Sequence, residues 1–240
     1  MTTEVRERLL LMGPPDSGKT YQLIQVYLAL KDIGIEMALF DMEDKLSAFL
    51  SAKKIPFPKF FQSCLTWEEY VDAVSAIDIK PGGWIGIDRM DLNWSRVQDW
   101  YSREKYDRDL AEQLIGRDKL LTKRATFIPR FDESSWQTIN ANYDESFYKL
   151  VYRTRCNIVM TSGIQDIPEG KFDTFGLGVS PRGQKELGHQ PHTVFLLVQR
   201  QQLNRRYWEI TTAKDLPNRP LFHKEELFDI WYQYLVNYVK

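Results

Sequence analysis

The chain has 240 residues, of which 43% are hydrophobic and 27% are charged. This length and apolar content predict one folded domain, and they exclude a disordered, fibrous or low-complexity protein. Lysine and arginine number 32 against 33 aspartates and glutamates, which gives a formal net charge of −1. No overall basic field therefore marks the chain as a nucleic-acid binder, and any such site is expected to be a local patch.

The cysteine content and the apolar runs indicate where the protein acts. Cys64 and Cys156 are too few for a disulfide framework, and Cys156 opens an apolar run, which indicates buried thiols in a reducing compartment. Residues 1–8 are charged and lack the apolar core of a signal peptide, and no run approaches the roughly 18 apolar residues of a membrane span. We expect a cytoplasmic protein that does not enter a membrane.

Strands and helices alternate in the first part of the chain. Three short apolar runs predict buried strands, at residues 9–12, 37–40 and 84–87. Between them, helical spacing of apolar residues predicts two helices, at residues 19–31 and 67–77. Thr66 and Glu69 have the spacing of a capping box and mark the start of the second helix.

The second part of the chain is predicted to extend the sheet. Residues 92 to about 130 form a charged helical segment without strand character, which we interpret as an insertion. Further helices are predicted at residues 136–153 and 225–239, and further strands at 157–161, 193–198 and 207–212. The last two strands are expected to form an antiparallel hairpin. The order predicts a single α/β domain with a mainly parallel central sheet, flanking helices and an antiparallel edge.

A phosphate-binding loop is the most specific motif in the sequence. It matches G-x-x-x-x-G-K-[ST] between a predicted strand and a predicted helix, and it consists of Gly13, Pro14, Pro15, Asp16, Ser17, Gly18, Lys19 and Thr20. In such a Walker A loop, Lys19 reaches the β and γ phosphates and the Thr20 hydroxyl ligates Mg²⁺. Asp88 ends the 84–87 strand and is expected to hold Mg²⁺ through water, as a Walker B aspartate. ATP and Mg²⁺ are the expected ligands.

Other classes of phosphate-loop protein fit the sequence less well. A GTPase needs a D-x-x-G switch and an N-K-x-D motif, whereas Asp88 is followed by Arg-Met-Asp and the Lys214-Asp215 pair lacks the asparagine. GTP specificity is therefore not supported. A small-molecule kinase stays an alternative, with the 92–130 segment acting as a lid over the phosphates.

An acidic pair follows the second predicted strand. Residues 39–43 read Leu-Phe-Asp-Met-Glu, and a carboxylate at this place can orient the attacking water as a general base. In this feature the sequence resembles the RecA-like ATPases, and more narrowly the compact ATPases of bacteriophages and archaea related to KaiC and to phage recombination proteins. The resemblance implies that Glu43 is the catalytic base. The simpler alternative is that Asp41 and Glu43 only cap the next turn.

The resemblance extends to the strand predicted at 157–161. This strand ends in small polar residues, as the sensor strands of that family do. The resemblance implies that Thr161 or Ser162 senses the γ-phosphate, with Gln165 as a further candidate. An ordinary strand end is the alternative.

The resemblance also covers residues 209–220. They are similar to the strand and basic turn with which RecA and KaiC relatives insert a cation into the nucleotide site of a neighbouring subunit. By this resemblance Lys214 and Arg219 are candidate fingers, and the protein forms a homo-oligomer. Solvated cations in a surface turn are the alternative.

Two segments have the composition of a single-stranded DNA site. Residues 92–130 contain nine lysines and arginines against six acidic residues, and the aromatic residues Trp94, Trp100, Tyr101 and Tyr106 lie among them. The alternative is that these aromatic residues pack on the core. The loop at 163–190 also combines cations and aromatic rings, at Lys171, Phe172, Phe175, Arg182 and Lys185; in RecA relatives, loops from this place line the DNA channel.

The resemblance as a whole implies Mg²⁺-dependent ATP hydrolysis coupled to DNA binding in recombination, replication or repair. If the protein is encoded by a bacteriophage, it acts in the cytoplasm of the host cell. Two other functions fit the same motifs. One is a KaiC-like regulatory or assembly ATPase that binds no nucleic acid, and the other is the small-molecule kinase.

Overall fold

A sheet of eight strands forms the centre of the protein. The computed structural model describes residues 6–121, 131–202, 205–214, 223–226 and 231. Its strands are β1 (Arg8–Met12), β2 (Met37–Asp41), β3 (Phe61–Ser63), β4 (Trp84–Asp88), β5 (Asn157–Ser162), β6 (Ile164–Asp166), β7 (Val179–Pro181), β8 (Thr193–Gln202), β9 (Arg205–Lys214) and β10 (His223–Glu226). The central sheet has the order β10-β9-β8-β1-β5-β4-β2-β3, and β6 and β7 form a separate pair.

The sheet is mostly parallel with an antiparallel edge. The six strands from β8 to β3 pair in parallel, whereas β9 pairs antiparallel with β8 and β10 antiparallel with β9. The predicted α/β class is therefore confirmed, and so is the predicted hairpin of the last two long strands. Because the parallel strands share one direction, their carboxyl ends meet at one edge of the sheet, and ligands of open α/β sheets bind at that edge.

Helices cover both faces of the sheet. They are α1 (Lys19–Asp32), α2 (Lys45–Ala52), α3 (Trp67–Ala76), α4 (Met90–Tyr106), α5 (Leu110–Leu121) and α6 (Glu133–Tyr148). Successive residues of a strand point to opposite faces, and accordingly Leu9 and Leu11 pack in one apolar cluster with α1 and α2, while Leu10 and Met12 pack in another with α3, α4 and α6. Within the described part of the chain, no helix is both long and apolar enough to cross a membrane.

Local sequence signals explain where the helices begin. The predicted capping box is confirmed, because Thr66 Oγ1 accepts a hydrogen bond from Glu69 N at 3.2 Å and Glu69 Oε2 accepts one from Thr66 N at 3.1 Å. Asp132 caps α6 in the same way, through its bond from Ser135 N at 2.7 Å. Each cap satisfies backbone donors that the first helical turn leaves unpaired.

Several elements differ from the prediction. The predicted helix at 225–239 is wrong at its start, because Glu225 and Glu226 belong to β10 and pair with β9. The predicted helix at 136–153 ends as an α-helix at Tyr148 and continues as a π-helical turn, Lys149–Arg153. Three unpredicted elements are present, namely α2, β3 and the β6–β7 hairpin. Trp231 is buried against Phe195, as expected for an aromatic residue that packs on the sheet.

The predicted insertion at 92–130 is helical where the structure describes it, and residues 122–130 lie outside the described part. The aromatic side chains of α4 pack on the core, since Tyr101 is buried and Trp94 stacks on Trp136 with ring centroids 6.1 Å apart. Trp100 and Tyr106 are partly buried against the same core. The alternative of core packing thus describes these rings, and a role of this segment in binding nucleic acid stays a prediction.

The thiols of Cys64 and Cys156 are both free and buried. Burial raises the pKa of the Cys64 thiol to about 12, and it also raises the pKa of the Cys156 thiol. Since the thiolate is the reactive form, we expect neither thiol of the native protein to react with Ellman's reagent and both to react after unfolding in guanidinium chloride. Rapid release of the thionitrobenzoate chromophore by the native protein would contradict the burial of these two residues.

Candidate functional site

The loop between β1 and α1 has the backbone of a phosphate-binding loop. Gly13 leaves no room for a side chain, because a Cβ there would lie 2.5 Å from both the Leu197 carbonyl oxygen and Ser17 Oγ. Gly18 has a φ of +86°, a conformation that glycine adopts without steric cost. The Gly13 amide also donates to the Ser162 carbonyl at 3.2 Å, which fixes the start of the loop against β5. Both glycines of the motif are thus required by the fold of the loop.

Lys19 points back into this loop. Its Nζ donates to the carbonyl oxygens of Gly13 at 2.9 Å and Pro14 at 2.6 Å, and to Ser17 Oγ at 3.3 Å. Burial, and to a lesser extent the nearby Arg89 guanidinium, lowers the pKa of the ammonium to about 8 against the opposing effect of Asp88. The loop therefore holds a cation within its own curve, where a phosphate-binding loop requires one.

The Thr20 hydroxyl meets a buried carboxylate from another strand. Thr20 Oγ1 donates to Asp88 Oδ2 at 2.9 Å, and Thr161 Oγ1 donates to Asp88 Oδ1 at 2.6 Å. Asp88 is fully buried at the end of β4; burial raises the pKa of its carboxyl to about 6, although both hydroxyl hydrogen bonds act to lower it.

The donor set at Thr20 and Asp88 fits magnesium. A hydroxyl and a carboxylate are hard oxygen ligands, and Mg²⁺ is usually bound by one or two protein oxygens together with water and phosphate. Among the described residues, no group of three or more histidine, cysteine or acidic side chains is placed to hold a metal ion. This pair of oxygens therefore suits a cation that arrives with a nucleotide.

Glu43 is held between two cations. Its Oε1 accepts a hydrogen bond from Arg89 Nη1 at 2.5 Å, and its Oε2 lies 2.8 Å from Lys45 Nζ. Arg89 also makes two hydrogen bonds to Asp91, at 2.9 and 3.0 Å. Asp41 has a structural role instead, because its carboxylate accepts hydrogen bonds from the Glu43 and Ser47 amides at the start of α2. The predicted acidic pair thus divides into a capping residue and a residue of the site.

One cavity of about 360 Å³ joins these groups. It is lined by the end of the phosphate loop with Lys19 and Thr20, by Glu43 with its two cations, and by Gly163 and Arg182. Arg89 was not among the predicted site residues, and Arg182 was predicted only as part of a DNA-binding loop. The position of Arg89, directly after the aspartate that ends β4, was a signal available in the sequence.

The structure places the predicted sensor residues behind or beside this cavity. Thr161 is fully buried, and its hydroxyl accepts from the Arg89 amide at 2.8 Å while it donates to Asp88. Ser162 Oγ is also buried and donates to the Gly163 carbonyl at 2.8 Å. Gln165 lies on β6 and lines a neighbouring cavity. Thr161 thus supports the Asp88 carboxylate, and the sensor roles of all three stay predictions.

The structure describes only one of the two predicted finger residues. Lys214 is the last residue of β9, and Arg219 lies outside the described residues. Their role in a neighbouring subunit stays a prediction.

Comparisons of the sequence with protein-family models and with curated proteins give no match. An ammonium, a hydroxyl beside a buried carboxylate, and a glutamate meet at the carboxyl edge of a mostly parallel sheet. This combination suits a phosphorylated ligand that carries a divalent cation.

Proposed function

We propose that the protein is a Mg²⁺-dependent ATPase of the RecA-like type. The observation that carries the proposal is the 2.9 Å hydrogen bond between Thr20 Oγ1 and Asp88 Oδ2. It joins the phosphate loop to a buried carboxylate from a strand that is not adjacent to β1, at a cavity that Glu43 also lines. A Gly-rich turn without a nucleotide-binding role would not need this meeting of hydroxyl and carboxylate.

Different residues of the site bind the phosphates, hold the cation and activate water in the proposed hydrolysis. Bound Mg-ATP supplies the phosphoanhydride bond and a divalent cation that neutralises phosphate charge. Lys19 and the loop amides bind the phosphates, and Thr20 and Asp88 hold the cation. Glu43 orients the attacking water and accepts its proton, with Arg89 and Lys45 fixing the carboxylate in place.

The strand order supports the assignment of Glu43. Because β2 pairs with β4, Asp41 is directly opposite Asp88 at the carboxyl edge of the sheet. Glu43 follows two residues later and so comes to the same cavity as Lys19 and Thr20. A carboxylate that follows β2, the strand next to β4, suits a water-activating role. This is the role that the resemblance to RecA-like ATPases implies for Glu43.

The described part of the 92–130 segment does not form the lid that the kinase alternative requires. None of the described residues between 92 and 121 lines the cavity at the phosphate loop. Instead, α4 buries Val97 and Tyr101 in the core of the domain. The part of the insertion that the structure describes is therefore a packed element of the fold and does not cover the phosphates.

The coupling to DNA is supported by the loop between β6 and β7. Phe172 is 87% exposed in this loop, and Lys171 lies beside it in the sequence. An exposed aromatic ring next to a cation suits stacking and phosphate contact with single-stranded DNA. The nucleic-acid part of the proposal rests on this loop, since the rings of α4 pack wholly or partly on the core.

Phosphate release with and without DNA tests the proposal. We expect ATP hydrolysis that stops when EDTA removes Mg²⁺ and that rises when single-stranded DNA is added at low salt. Phe172→Ala is expected to lose the DNA stimulation and to keep the basal rate, and Phe57→Ala, at another exposed ring, is the matched control. Absence of hydrolysis under every condition would contradict the ATPase, whereas hydrolysis that DNA leaves unchanged would favour the KaiC-like alternative. Nucleotide turnover that requires an added acceptor would favour the kinase.

A further inference from the structure

Arg182 shares the cavity of the phosphate loop although it lies more than 160 residues away in the chain. It directly follows β7, and its amide donates to the Gly163 carbonyl at 2.8 Å. Its own carbonyl accepts from Ser162 Oγ at 3.2 Å, and the Ser162 carbonyl accepts from the Gly13 amide at 3.2 Å. Backbone and hydroxyl hydrogen bonds thus connect Arg182 to the first residue of the phosphate loop.

The side chain of Arg182 passes over Gly163. A Cβ on Gly163 would lie 3.2 Å from Arg182 Cδ and 3.2 Å from Asp91 Oδ2. Gly183, the next residue after Arg182, has a φ of +108°, and a Cβ there would lie 3.2 Å from Asp91 Cα. The two glycines therefore let the hairpin pack closely on Asp91 and leave a path for the arginine stem into the cavity.

Arg182 is also the cation of this cavity that has no acceptor. Lys19 donates to the loop carbonyls, and Lys45 and Arg89 are both ion-paired with Glu43. Among the residues that the structure describes, no carboxylate or other acceptor is within bonding distance of the Arg182 guanidinium, and the residue is exposed to the cavity. A guanidinium presents a planar fork of donors that matches phosphate oxygens. The cavity therefore offers an anionic ligand a guanidinium whose donors no described protein group occupies.

We propose that Arg182 binds the terminal phosphate of the nucleotide held by the same subunit and makes the site prefer a nucleoside triphosphate to a diphosphate. This inference rests on the proposed function. Lys19, Thr20 and the loop amides account for the phosphates nearest α1, and Arg182 lines the same cavity as Glu43, the residue proposed to orient the attacking water. Arg182 acts within its own subunit, in contrast to the role predicted for Lys214 and Arg219.

The test compares the affinities of two nucleotides in the presence of Mg²⁺. Isothermal titration calorimetry gives the Kd of a non-hydrolysable ATP analogue and the Kd of ADP for each variant. Arg182→Ala is expected to weaken the ATP analogue by roughly tenfold or more, the effect of losing one charge-assisted hydrogen bond, and to leave ADP binding unchanged. Arg182→Lys keeps the positive charge but lacks the planar set of donors of the guanidinium. It is expected to lose less of the preference for the ATP analogue over ADP than Arg182→Ala does. Arg153→Ala is the matched control, because Arg153 is an exposed arginine that does not line this cavity.

The outcomes separate this inference from the proposed function. If the unmodified protein binds the ATP analogue but Arg182→Ala keeps the same preference for it over ADP, the role of Arg182 is overturned and the ATPase proposal stands. An equal loss of affinity for both nucleotides overturns it as well, because that result indicates a structural role. If the unmodified protein binds neither nucleotide, the proposed function fails and the inference fails with it. Arg182→Gln, which keeps the side-chain bulk, replaces Arg182→Ala if circular dichroism shows that the alanine variant is unfolded.

Discussion

Lys19→Ala is expected to abolish tight ATP binding. The Lys19 ammonium lies within the curve of the phosphate loop and has three acceptors there, so no side chain from elsewhere can take its position. Lys45 and Arg89 are ion-paired with Glu43. The loss of more than one charge-assisted hydrogen bond corresponds to roughly 3 kcal/mol or more, which is about a hundredfold in Kd. Equilibrium binding of a fluorescent ATP analogue measures the effect.

Lys31→Ala is the matched control for this variant. Lys31 is an exposed lysine in the last turn of α1, so it changes the same helix and the same net charge at a distance from the loop. Its removal is expected to leave nucleotide binding as it is. Undiminished binding by a folded Lys19→Ala protein would show that the loop at 13–20 does not bind phosphate.

Glu43→Gln is expected to reduce ATP turnover by about a hundredfold or more while nucleotide binding stays intact. The amide keeps the size of the carboxylate but cannot accept the proton of the attacking water, and a general base contributes roughly 10² to 10⁴ in rate. Arg89 keeps its two hydrogen bonds to Asp91 in this variant, so the cavity is expected to keep its shape. Phosphate release at saturating Mg-ATP and a separate binding titration measure the two effects.

Glu68→Gln serves as the control for the loss of one acidic charge, since Glu68 pairs with Arg103 away from the cavity. A different comparison tests the assignment of the base itself. If Asp41→Asn or Asp88→Asn stops hydrolysis and Glu43→Gln does not, Glu43 is not the base, and the residue that activates water has to be sought beside Asp88.

The parts of the site that lie within one short segment of the chain were predictable from the sequence. The phosphate loop lies within eight residues, and its glycines, lysine and threonine have the positions that the motif requires. Asp88 was predictable because a short apolar strand ends there. Both signals are local, and the structure brings the two segments together through the hydrogen bond from Thr20 to Asp88.

The parts that depend on strand neighbours were not predictable. Arg89 meets Glu43 only because β2 and β4 are adjacent in the sheet, and nothing in the spacing of 46 residues indicates that pair. Arg182 reaches the cavity because three-residue strands form a hairpin within a Gly- and Pro-rich loop, where no alternation of apolar residues is long enough to predict strands. Tertiary contacts likewise override local preference at His223–Glu226, which pairs with β9 in spite of helix-favouring Lys-Glu-Glu.

The two outer strands of the central sheet bear on how copies of this chain can associate. An exposed sheet edge is a template for pairing with another chain, and proteins block such pairing with short strands, charges and bulges. β3 has three residues, and β10, of four residues, reads His-Lys-Glu-Glu and shifts register between His223 and Glu225. Both ends of the sheet thus disfavour intermolecular β-pairing and the aggregation that follows from it. A regular assembly of this chain would therefore be built through helix faces and loops rather than through the outer strands that the structure describes.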